Sequence, residues 1–238
     1  MYIKNRGLAL VFRLAALSGC GYGMAAMSNI FGGGFQTGML IYYTNLSNIA
    51  VFAYLLASAA HTACGIARHG VYGQSTLLPG LKRALIMMIT VTMLVYHFVL
   101  APLLFTMDVS LNYAVHGLTD ILVHYFTPLM LIADWLLFDE KERVRWFEPL
   151  QWLILPFAYL VFIMIRAEVG APLNSAGLRY PYFFLDLDIY GPFSVMGHVT
   201  LCMLAFSAVG YVFFALDKLP RGFARIYSFS AQTRDIDV

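Results

Sequence analysis

Charge is what this sequence has least of. Of its 238 residues only 12% are Asp, Glu, Lys or Arg, against 61% hydrophobic. A soluble domain carries about 25% charged residues, so half that complement can cover the surface only if most of the surface faces lipid. Charge of one sign is lacking too: 15 Lys and Arg stand against 13 Asp and Glu, a net of +2. Nucleic acid is not the partner this balance implies, and no basic run is interleaved with stacking aromatics. Cysteine is scarce. Cys20, Cys64 and Cys202 lie in or beside apolar runs, with no C-x-x-C or paired spacing. They read as small apolar fillers rather than a disulfide framework. Repeats, low-complexity linkers and soluble domains are also missing, so residues 1–238 are expected to form one domain.

Long apolar runs are what the sequence does have. A membrane helix needs roughly 20 mostly apolar residues. Such runs fall at about 8–30, 39–62, 84–107, 117–138, 150–165 and 193–216, the fifth being the shortest. Turn formers separate them, among them Gly32-Gly33-Gly34 and Pro79-Gly80. The first run has the look of a cleaved lipoprotein signal ending at Leu17-Ser18-Gly19-Cys20. Arg13 interrupts its core, however, and the apolar stretch continues to Ile30, so it reads as a retained span. The expected fold is all-α, a polytopic bundle of six transmembrane helices.

Basic residues stay on the cytoplasmic side during insertion. Lys4 and Arg6, then Arg68, Lys82 and Arg83, then Lys141, Arg143 and Arg145, then Lys218, Arg221, Arg225 and Arg234 all fall on one side of such a bundle. The other side receives only Arg166 and Arg179. The alternation predicts both termini in the cytoplasm, with a bacterial cytoplasmic membrane as the expected location.

Polar groups at membrane depth are expensive and normally face the bundle interior. The fourth span carries His116, Asp120, His124, Thr127 and Asp134 within one stripe of roughly 80° at helical spacing. Pro128, one turn past His124, should bend that helix and free a backbone carbonyl inside the bundle. The second span carries Thr44, Ser47, Asn48, Ser58 and Thr62 along one side. Small hydroxyl residues there serve close helix packing, yet Thr44, Asn45 and Asn48 are denser than packing needs. At 1.5 Å per residue, Thr44, His124 and His198 each sit roughly 8–10 Å below the outer boundary. At the other boundary Arg13 and Asp134 are expected to form a structural ion pair between the first and fourth helices. His61, His69 and His97 are given no role.

A threonine hydroxyl attacks an ester only if a base removes its proton. His124 is placed to do so, Asp120 one turn earlier to orient the ring, and Asn45 or Asn48 to donate to a developing oxyanion. His198 is the further candidate for contact with substrate. That chemistry needs no cofactor, and its substrate would be a lipid-like ester reached from the membrane. Two alternatives stay open. His116, Asp120, His124 and His198 could ligate a metal that makes hydroxide from water, although no H-E-x-x-H signature is present. A transporter, channel or scaffold could use the same polar stripe as a path, but no inverted repeat is visible.

Three segments carry a resemblance. They are Tyr43-Thr44-Asn45-Leu46; His124-Tyr125-Phe126-Thr127-Pro128 running on to Asp134-Trp135-Leu136-Leu137-Phe138; and Tyr180-Pro181-Tyr182-Phe183 followed by Gly191-Pro192. In order and position they resemble the androgen-induced-protein family of membrane hydrolases, most closely its six-pass prokaryotic members. The resemblance implies a threonine hydrolase of fatty-acid esters of hydroxy fatty acids. Its intramembrane threonine falls on Thr44 and its histidine on His124, with His116 as the second alignment. The chain departs from the animal pattern in the asparagine after Thr44 and in a histidine-to-proline spacing one residue shorter. The aromatic run Tyr180–Phe184 reads either as an interfacial belt or as a lid over the mouth of the site.

Overall fold

The computed structural model describes residues 2–102, 117–141, 143–174 and 177–234, the side chains beyond Leu219 excepted. Six helices in it are long and apolar enough to cross a membrane: α1 (Arg6–Met27), α2 (Tyr43–His69), α3 (Pro79–Leu100), α4 (Leu118–Phe138), α5 (Glu148–Val169) and α6 (Leu187–Leu219). Among the described residues there is no strand, and Asn5 and Tyr72 make only an isolated bridge. The chain is a multi-pass helical membrane protein.

Outward side chains are apolar, as lipid requires: Val11, Phe98, Leu129, Phe157, Phe193 and Leu201 are all exposed. Inside, α1 packs along α2 and α4, α2 against α3, and α3 against α4, α5 and α6. The central position of α3 explains its run of buried residues from Leu85 to Thr92. Two breaks shape the ends. Gly70 (φ +77°) stops α2 in the left-handed region, where glycine alone is unstrained. Arg6 fills the turn beyond it, donating to Gly70 O, Tyr72 O and Gln74 O at 2.9, 2.5 and 3.1 Å. Gly191 (φ +71°) kinks α6 just before Pro192.

Several boundaries differ from the expected spans. Thr37–Ile41 forms a 3-10 turn and Tyr42 is extended, so α2 starts four residues late and Thr44 lies in its first turn. Pro79 occupies the first turn of α3, a position that needs no N–H, so the third span starts five residues early and takes Lys82 inside. Residues 103–107 of the expected third span lie outside the described residues. The fifth helix is not short: it runs through a tight join at Leu153 from Glu148 to Val169.

Candidate active site

The first N–H groups of a helix have no partner within it. At the start of α2, Tyr43 N–H donates instead to the Tyr182 hydroxyl at 3.1 Å, a side chain from the α5–α6 loop. Asn45 Nδ2 donates to Met39 O at 2.9 Å and holds the preceding turn. Asn48 Nδ2 donates twice, to Thr44 O at 2.8 Å and to Val123 O of α4 at 3.1 Å. Ser47 donates to Thr44 O at 2.9 Å and pairs with Thr92 of α3 at 2.8 Å. Thr44 is thus anchored by its backbone, and it shares a cavity wall with Tyr182. Burial pushes the Tyr182 phenol up to about 12, so it stays protonated at neutral pH.

Thr44 stands on the wall of a cavity with about 620 Å³ of empty space, part of it open to the surroundings. The other walls come from Val91, Thr92 and Val95 of α3, Tyr159 and Leu160 of α5, and Val199, Cys202 and Phe206 of α6. Tyr182, Phe184 and Leu185 cover it from the loop. Tyr180 and Tyr182 are buried, so they face inward and do not form the expected interfacial belt. Tyr159 ties this end down by donating to Ile41 O at 2.8 Å. Apart from hydroxyls and the sulfurs of Cys202 and Met203, the lining is hydrocarbon and aromatic ring, the surface an acyl chain prefers.

On α4, Leu122–Phe126 widens into a π turn. Pro128 has no N–H, so Val123 O loses its donor one such turn away, and Asn48 supplies one. The Thr127 hydroxyl closes the turn on Leu122 O at 2.9 Å. Glycine makes room for it on α1: a Cβ at Gly19 would overlap the Phe126 ring, and one at Gly23 would meet Leu122 Cβ at 2.9 Å. The turn carries His124, whose Nδ1 lies 2.9 Å from Asp120 Oδ1 and 3.2 Å from Asp120 O. Asp120 Oδ2 accepts from Tyr96 of α3 at 2.6 Å. Both His124 and Asp120 are buried.

The expected site residues are therefore only partly gathered. Asp120 and His124 are paired, and Asn48 links the Thr44 carbonyl to that of Val123, the residue before His124. No hydrogen bond joins the Thr44 hydroxyl to His124 among the described residues, and His124 is not on the cavity wall. Asn48 offers no free amide donor for an oxyanion, because Thr44 O and Val123 O take both of its N–H groups, while Asn45 gives one N–H to Met39 O. His198 lies apart, its Nδ1 2.9 Å from Phe184 O, pinning the loop to α6. His116 lies outside the described residues. Among those described, no three His, Cys, Asp or Glu side chains come together to hold a metal, so His198 does not complete a metal set with Asp120 and His124. His97, given no role, meets the Tyr125 hydroxyl at 3.0 Å.

At the opposite end of the bundle Arg13 and Asp134 pair at 2.9 Å. Sequence reasoning missed the rest of that cluster. Lys82 reaches Asp134 at 2.5 Å and Asp139 at 2.6 Å, and Arg13 also donates to Thr62 and Ser75 O. Nearby, burial pushes the Lys141 ammonium down to about 8, against the opposing pull of Asp139. Tyr96 was missed as well, and Tyr182 was read only as part of the aromatic run, not as the acceptor for Tyr43 N–H. Pro79 could have revealed Lys82, since a first-turn proline starts the helix before it. No protein-family model, curated protein or solved structure matches the chain.

Proposed function

We propose that this protein is an intramembrane hydrolase of lipid esters, with Thr44 as nucleophile, His124 as general base and Asp120 orienting the base. One observation carries the reading: Thr44 stands on the wall of a largely apolar cavity, and Asn48 ties its backbone carbonyl to that of Val123, the chain neighbour of a buried histidine–carboxylate pair. The resemblance to the androgen-induced-protein family supports the same two residues.

With Asp120 on Nδ1, the free nitrogen of His124 is Nε2. Thr44 Oγ1 gives its proton to Nε2 as it attacks the ester carbonyl. The tetrahedral oxyanion collapses, and the alcohol departs with the proton from His124. Water, deprotonated by the same nitrogen, then attacks the acyl-threonine, and the acid is released as Thr44 Oγ1 takes the proton back. Tyr182, a neutral phenol at working pH on the same cavity wall, is the donor to the oxyanion in place of Asn48, whose N–H groups are committed. The acyl chain lies in the cavity, and the ester comes from the membrane itself. Both termini are cytoplasmic in this reading, which follows from the charge alternation, and the cavity end faces outward in a bacterial cytoplasmic membrane.

Purified wild type in nanodiscs should hydrolyse long-chain acyl esters and label with fluorophosphonate probes. Thr44→Ala should abolish labelling, and either Thr44→Ala or His124→Ala should lower kcat about a thousandfold. Full activity in correctly inserted Thr44→Ala would sink the proposal. A second reading, a lipid-binding or lipid-moving protein without turnover, is favoured by His124 standing off the wall of the cavity that Thr44 lines. Lipid flux in proteoliposomes with no ester cleavage would select it.

A further inference from the structure

Each carboxylate oxygen of Asp120 has a different partner. Oδ1 lies 2.9 Å from His124 Nδ1, and Oδ2 accepts from the Tyr96 hydroxyl at 2.6 Å. The same Tyr96 ring lies flat on the imidazole, with centroids 3.7 Å apart and planes 12° from parallel. One side chain from α3 therefore holds both the histidine and the carboxylate behind it. Matching distortions in two helices make this possible. Tyr96–Leu100 is a π turn in α3, and Leu122–Phe126 is one in α4. Such turns re-aim side chains and recur where helices carry function. Tyr96, Asp120 and His124 are 4%, 9% and 5% exposed. A carboxylate that deep needs donors to remain ionised, and Tyr96 is one.

From this the geometry points to Tyr96 as a positioning residue. Its hydroxyl and ring lock the Asp120 carboxylate against Nδ1, so that neutral His124 keeps its proton on Nδ1 and its lone pair on Nε2. The inference rests on His124 being the base and gives that base a third partner. Among the described residues, the other groups on the neighbouring elements carry no fixed charge. Tyr125 shares the π turn and meets His97 of α3, Asn48 of α2 reaches Val123 O, and Cys20 of α1 lies against Asn48. Among the described residues Asp120 is the carboxylate bonded to the ring, and Tyr96 acts through it rather than on substrate.

The test is nitrogen-15 NMR of the full-length, histidine-labelled protein in nanodiscs at pH 8, with the His124 signals assigned from His124→Gln. Wild type should show one His124 tautomer, protonated at Nδ1. Tyr96→Phe keeps the ring and deletes the donor; it should give a mixture of tautomers. Its kcat on a nitrophenyl ester should fall about tenfold with KM unchanged. A wild-type proton on Nε2, or an unchanged single tautomer in Tyr96→Phe, overturns the inference. If Tyr96→Phe fails to insert, difluorotyrosine at position 96 keeps the shape while acidifying the phenol. It should then move the His124 Nδ1–H resonance, and an unmoved resonance overturns the inference too. The tautomer is read without turnover, so a tautomer that responds to Tyr96 in a protein inert towards esters upholds the positioning role while sinking the hydrolase reading.

Discussion

Asp134 receives Arg13 on one side and Lys82 on the other, and all three side chains are fully buried. Removing one partner of such a cluster leaves a cation without compensation, which costs about 3–5 kcal/mol. Asp134→Leu should therefore lower stability by that amount in detergent unfolding, and Arg13→Met combined with it should recover part of the loss. A single substitution with no effect on the melting temperature would show that the cluster holds nothing together. The Arg13–Asp134 pair was legible because each is an ionised side chain interrupting an apolar run. Thr44 and His124 stood out for the same reason, as polar residues in apolar runs, but α2 begins at Tyr43, so Thr44 enters its helix less far than His124 does. Lys82 was hidden by a helix boundary misplaced by five residues. The bonding roles of Tyr96 and Tyr182 were hidden by their chemistry. In a chain with 15 tyrosines, a ring that packs as well in lipid as in a site gives no signal until its hydroxyl is seen to meet Asp120 or Tyr43 N–H.

The element that most determines the site is the π turn of α4. It exists because Pro128 cannot donate to Val123 O, because Asn48 can, and because Gly19 and Gly23 let α1 approach. The freed carbonyl was readable from Pro128 alone; the widened turn was not, since no local pattern distinguishes it from a bend. Gly19→Ala places its new methyl inside the Phe126 ring and should cost about 1–3 kcal/mol. The clash is with a side chain, so Phe126→Leu in the same protein should restore most of that stability. Equal losses with and without Phe126→Leu would show that the α1 backbone, not the ring, sets the spacing. Asn45 illustrates the opposite lesson. Its polarity at membrane depth suggested chemistry, yet it closes the turn that starts α2, a role invisible without knowing where the helix begins.

At the scale of the whole molecule, six helices among the described residues are long and apolar enough to cross a membrane, and an even number of crossings predicts both termini on one side. The charge alternation then predicts which side that is. In a background without cysteines, a single cysteine at Tyr72 should react with a membrane-impermeant maleimide only after the cell membrane is opened. One at Gly34 should react in intact cells. Both positions are exposed, so the reverse pattern would invert the proposed orientation and turn the Thr44 cavity towards the cytoplasm. The six-helix architecture was readable almost entirely, because about 20 consecutive apolar residues have few other uses. Depth followed from it, but lateral arrangement did not. The sequence could place Thr44 and His124 at similar levels, whereas only packing shows that one lines a cavity and the other lies behind Asn48.

Arg13 also has a history in time. Its carboxylate partner lies 121 residues further along the chain. At about 5–20 residues per second, a ribosome needs roughly 6–24 s to deliver it. Throughout that interval the first helix holds an arginine inside an apolar run before Asp134, the carboxylate that pairs with it, has been made. The helix that begins the protein is thus the one least able to settle alone. Its final seat in the bilayer is fixed by the fourth helix, long after its own synthesis has ended.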